Sequence, residues 1–147
     1  MPQDAVETVC RAFDVPPGRP ELAYILPSFL VAAADGTIDP DALWSLGRNA
    51  VTLGIDPEDA AAIKHVQKIL SAFMKRGGPE HLDIIMEAVC QLIMGRPAGE
   101  RLAVVESVKD TCILTAKSSG EALKTKFSGA ERRIIERIFK KLDRCLD

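Results

Sequence analysis

The chain has no apolar stretch long enough to span a membrane. Its longest run, Ala23 to Ala34, is interrupted by Pro27 and Ser28 and falls short of the roughly 20 residues a spanning helix needs. Met1-Pro2-Gln3-Asp4 lacks the basic start of a secretion signal, so none is expected. No two cysteines form a Cys-x-x-Cys pair. Cys10, Cys90, Cys112 and Cys145 lie far apart within apolar helical patterns and read as buried, reduced thiols of a cytoplasmic protein. The only histidines, His65 and His81, are isolated, which leaves no zinc motif and no Ser-His-Asp or Cys-His arrangement. A glycine-rich phosphate loop is also missing: Gly77-Gly78 is followed by Pro79, which removes an N–H that a phosphate would need. These absences argue against an enzyme and nominate no catalytic residue.

What is present is enough chain for one domain. With 147 residues, 47% hydrophobic and 27% charged, residues 1–147 read as a single unit able to bury a core. The net charge of −2 conceals an asymmetry. From Lys117 to Asp147 there are nine basic and five acidic residues, giving that segment +4 and the rest of the chain −6. A basic end facing an acidic body supports self-association or binding to an anionic surface, and it equally describes a solvated helix face.

Taken in order, the periodicity is helical throughout and no stretch alternates as a strand. Asp4 to Phe13 places Val6, Val9, Cys10 and Phe13 at helical spacing, before three prolines and a glycine between Asp14 and Pro20. Glu21 to Ala34 is apolar almost all round, which predicts the buried centre of a bundle, bent near its start by Pro27. Asp41 to Leu53 carries Leu43, Leu46, Ala50 and Leu53 on one face. The next helix opens at Asp56-Pro57-Glu58-Asp59 and runs through Ile63, Val66, Leu70, Phe73 and Met74 to Gly77. Glu80 to Met94 and Gly99 to about Lys117 follow, the latter with Leu102, Val105, Val108 and Cys112 inward. Ser118 to Phe127 reads as a long irregular connection. A Ser-x-x-Glu capping box at Ser128 to Glu131 then starts a last helix through Ile134, Ile135, Ile138, Phe139, Leu142 and Leu146. The expectation is an all-α bundle of about seven helices.

The most distinctive stretch is Val31 to Leu43, where one helix stops at Asp35-Gly36 and another starts at Asp39-Pro40. Gly36 can take the positive φ that ends a helix, Asp39 can cap the next one, and Pro40 suits a first helical position. Asp35-Gly36-Thr37-Ile38 matches the middle of an EF-hand loop. That register, however, puts Val31, Ala33 and Ala42 at positions one, three and twelve, where calcium needs oxygen ligands.

Ala33-Ala34-Asp35-Gly36-Thr37-Ile38-Asp39-Pro40-Asp41, followed by a helix ending Leu53-Gly54-Ile55, resembles the repeat unit of TerB-like proteins. That tellurite-resistance family is itself similar to the N-terminal domain of a membrane-anchored DnaJ-type co-chaperone. A second unit runs through Leu82 to Met94, Arg101 to Ala116, the turn Ala116-Lys117-Ser118-Ser119-Gly120 and Ser128 to Glu131, so the resemblance covers Leu22 to Leu142. It implies paired helical repeats about a pseudo-twofold, a bacterial stress-response or tellurite-resistance setting, and acidic residues of the two turns gathered as a divalent-metal site. The residues it implicates are Asp35, Asp39, Asp41 and Glu131. Ala42 and Ser119 stand where two acids of the pattern are expected, and the second turn is stretched from Gly120 to Ser128. A hard cation would therefore bind weakly or not at all. The co-chaperone likeness implies the alternative, an interaction or dimerisation module with a protein partner or a second copy and no metal.

Arg132, Arg133, Arg137, Lys140, Lys141 and Arg144 occupy the outer face of the last helix and could meet phosphates of nucleic acid or lipid. Glu136 and Asp143 interrupt them and no aromatic is interleaved to stack bases, so a solvated face is the reading and no nucleic-acid partner is expected.

Overall fold

The computed structural model describes residues 4–16, 18–33, 58–76, 79–118 and 129–146. Among them are six α-helices and no strand: α1 (Asp4–Ala12), α2 (Leu26–Ala32), α3 (Ala60–Arg76), α4 (Leu82–Met94), α5 (Ala98–Ser118) and α6 (Gly129–Cys145). Short 3-10 turns at Pro20–Ile25 and Pro79–His81 lead into α2 and α4. The all-helical expectation holds over these residues. The helix expected over Asp41 to Leu53 and the connection from Ser119 to Phe127 lie outside them.

Each boundary has a local cause. Asp14 ends α1 with a positive φ of 56°, a conformation that aspartate tolerates better than most side chains. The Val15 N–H then reaches back to the Cys10 carbonyl at 3.0 Å, the long backward bond of a Schellman-type ending. The single bent helix expected over Glu21 to Ala34 is instead two pieces. Pro27 sits in the first turn of α2, where its missing N–H costs nothing, and the chain before it tightens into a 3-10 turn. The Ser28 hydroxyl donates to the Ile25 carbonyl at 2.6 Å across the junction. The start of α3 also differs from expectation. The cap is Asp59, whose Oδ1 accepts the Ala62 N–H at 3.1 Å. Asp56 and Pro57, where the opening was expected to begin, lie outside the described residues.

The core is built on α2 and its 3-10 turn, buried from Leu22 to Val31. Leu82, Ile85, Met86, Val89 and Ile93 of α4 pack into the same cluster, as do Val105, Val108 and Cys112 of α5 and Ile134, Ile135, Ile138 and Leu142 of α6. Phe73 ties α3 to this body, its ring centroid 5.9 Å from those of Phe13 and Phe29. Two side chains expected inward point out: Met74 is 56% exposed and Leu102 58%. On α3, Ala62, Ile69, Ala72 and Phe73 form the inward stripe instead. Leu146, assigned to the apolar stripe of the last helix, lies beyond the end of α6 and is exposed.

Ion pairs and a covalent link connect α6 to its neighbours. Lys109 of α5 pairs with Asp143 at 2.6 Å, and Asp83 of α4 accepts both Arg137 at 3.5 Å and Lys141 at 3.2 Å. Cys90 and Cys145 are joined as a disulfide between α4 and α6. The expectation of four reduced thiols therefore fails for this pair and holds for Cys10 and Cys112, which are free. The reason is tertiary: packing brings the two Cα atoms to 5.4 Å, within disulfide reach, across a sequence distance that hides the pairing. No helix among the described residues is long and apolar enough to cross a membrane.

Candidate functional site: a basic groove between α1 and α3

Of the residues singled out for metal binding, Asp35, Asp39 and Asp41 lie outside the described residues. Glu131 falls in the first turn of α6, with no described side-chain position. Among the described residues, no group of three or more His, Cys, Asp or Glu is placed to hold a metal ion. His81 has a structural role: its Nε2 lies 2.8 Å from the Arg76 carbonyl and its ring meets Phe13 edge-on at 5.7 Å. It thereby fastens the end of α3.

The described residues line an open groove of about 2020 Å³ that the sequence reading did not identify. One wall is α3. Lys64, Lys68, Ser71 and Lys75 recur at intervals of four, three and four residues and all line the groove, which puts them on a single stripe of the helix. The opposite wall is α1, with Val6, Glu7, Cys10 and Arg11, and the far end is the α4–α5 corner with Gln91, Leu92, Gly95 and Arg96. Val6, Cys10 and Leu92 are half-buried and pack against the core from below.

The groove is electropositive although the whole chain is not. Six Lys or Arg side chains line it against three carboxylates, in a protein of net charge −2. The carboxylates are largely spoken for: Glu7 pairs with Arg11 at 3.0 Å and Glu21 with Arg19 at 3.3 Å. Lys64, Lys68 and Lys75 enter no ion pair among the described residues, and their positive charge faces the groove unopposed.

Two features fix the shape of the groove's end. Arg96 Nε donates to the Tyr24 hydroxyl at 3.2 Å, with the guanidinium carbon 5.6 Å from the Tyr24 ring centroid. This hydrogen bond, more than the nearby Glu100 carboxylate, holds the Arg96 charge in place and pushes its pKa up. Arg101 then donates to the Arg96 carbonyl at 3.0 Å and the Met94 carbonyl at 2.9 Å, satisfying carbonyls that the end of α4 leaves open.

Burial pushes the Cys10 thiol up in pKa, the opposite of the depressed value that marks a nucleophilic cysteine. Burial raises Cys112 as well. Gln91 Oε1 is enclosed and has no hydrogen-bond partner among the described residues. Comparison of the chain with protein-family models, curated proteins and solved structures returned no match.

Proposed function

We propose that this protein is a non-enzymatic, TerB-like helical binding module whose basic groove between α1 and α3 receives a macromolecular partner. The observation that supports this most is the combination of size and charge. A groove of about 2020 Å³ is well above the roughly 300–1,000 Å³ of pockets that enclose small ligands, and lysines with no ion-pair partner among the described residues stand along one wall. A small metabolite would leave most of that volume to water, whereas a protein segment would fill it. The stress-response or tellurite-resistance setting is carried by the resemblance alone. So is a weakly held divalent ion at Asp35, Asp39, Asp41 and Glu131, for which metal titration of the chelator-treated protein is the direct test.

Photocrosslinking tests the binding reading. A photoreactive amino acid at Ser71, in the middle of the α3 wall, is expected to give a discrete adduct in extract of the native cells, and Lys68→Glu is expected to abolish it. No adduct, or the same adduct from a photoreactive group at the exposed Leu102 of α5, overturns the reading.

A further inference from the structure

Resting on the groove as a binding site, we propose that its occupant is an acidic amphipathic helix of a protein partner. It lies along α3 with its carboxylates on Lys64, Lys68 and Lys75 and its apolar side toward Val6, Cys10 and Leu92.

The dimensions fit. Lys64 and Lys75 are eleven positions apart on a continuous helix, which spans about 16 Å at 1.5 Å per residue, or three turns of a partner helix. A three-turn cylinder with side chains, about 10–12 Å across, takes up roughly 1,300–1,900 Å³. The groove offers about 2020 Å³. The lysine stripe advances by three- and four-residue steps, the spacing at which carboxylates repeat along one face of a second helix.

The chemistry selects the sign and the class. Three lysines without ion-pair partners among the described residues favour an anionic surface, and they disfavour a neutral or basic one by like-charge cost. The half-buried Val6, Cys10 and Leu92 present apolar area opposite those lysines, and a purely polar polyanion would leave that area uncovered. A single-stranded nucleic acid also needs an aromatic platform. The tyrosine in the groove, Tyr24, is only 5% exposed, and the Arg96 guanidinium already lies over its ring.

The test uses a fluorescent helical peptide of about 18 residues, long enough to hold helix. It carries glutamates four apart on one face and leucines on the other. The comparators are a scrambled peptide of the same composition and a single-stranded oligonucleotide of the same charge. Anisotropy with the full chain is expected to show binding of the amphipathic peptide that weakens as salt rises. The double variant Lys68→Glu/Lys75→Glu is expected to lower the affinity at least about tenfold. Arg132→Glu on α6, a charge reversal away from the groove, is expected to leave it unchanged, with circular dichroism showing that both variants are folded.

Equal binding of the scrambled peptide, or binding of the oligonucleotide alone, overturns the acidic-helix assignment. So does a dimer of this chain that Lys68→Glu dissociates in light scattering, since the occupant would then be a second copy. If these probes fail while the Ser71 adduct persists and still depends on Lys68, the occupant is wrong and the groove remains a binding site. Loss of both removes the groove reading as well.

Discussion

Cys90 on α4 and Cys145 at the end of α6 are joined by a disulfide, their Cα atoms 5.4 Å apart across 55 residues of sequence. A link of that span removes a large share of the unfolded chain's freedom, worth about 4 kcal/mol in the chain-entropy account. Reduction, or Cys145→Ser, is therefore expected to lower Tm by roughly 12 °C in a chain of this size. Thermal unfolding with and without reductant, paired with intact mass after alkylation, checks it. An unchanged Tm together with four alkylated cysteines would show that the pair is not joined.

Phe73 is the aromatic that holds α3 against the body through Phe13 and Phe29. It is fully buried, so Phe73→Ala should cost about 3–5 kcal/mol in urea unfolding. Phe73→Leu, which keeps much of the volume, should cost clearly less. Because α3 carries the basic stripe, the alanine variant should also bind the acidic probe peptide more weakly than its surface charge predicts. A loss below about 1 kcal/mol would mean that α3 is held by something other than this ring.

How far the sequence reveals the molecule depends on whether a feature is local. Helices α4 and α5 could be read within two residues of their observed limits, because Gly95-Arg96-Pro97 punctuates two strongly periodic segments. The all-helical class follows from the same periodicity. What could not be read needed neighbours. Pro27 signalled a bend, but only the packing of Tyr24 and Ile25 in the core turns the preceding segment into a 3-10 turn. Met74 and Leu102 fit an apolar period and yet face solvent, because the buried stripe of each helix is set by where its neighbours lie.

The groove shows the same limit more sharply. Lys64, Lys68 and Lys75 stand at visible helical spacing, but a basic stripe is ordinarily just a solvated face. Only the placement of α1 and the α4–α5 corner opposite it makes a site. The disulfide likewise joins two positions that no local motif connects.

Asp59 gives a pH prediction. Its carboxyl is held below its ordinary value of 3.8, first by the Ala62 N–H at the start of α3 and, against a desolvation effect of opposite sign, by the Arg19 charge. A lowered folded-state pKa means the charged form is favoured on folding. The contribution is therefore present above pH 3.8 and is lost as pH falls through the folded value. Asp59→Asn keeps a capping oxygen without the charge. Wild type should be the more stable at about pH 6, and the gap should close as the pH drops below about 4. A gap that stays constant with pH would exclude the charge as its source.

Gln91 is a residue whose enclosed polar atom should cost the fold stability. Its Oε1 is the one buried side-chain polar atom without a partner among the described residues, and an unsatisfied buried acceptor forfeits its hydration without replacement. Gln91→Met retains length and removes that acceptor, so the free protein should gain about 1 kcal/mol and roughly 3 °C in Tm. Because Oε1 is enclosed and out of a groove occupant's reach, affinity for the acidic peptide should stay unchanged in Gln91→Met. If Gln91→Met instead destabilises the free protein by more than about 1 kcal/mol, Oε1 is already satisfied within the chain or by bound water.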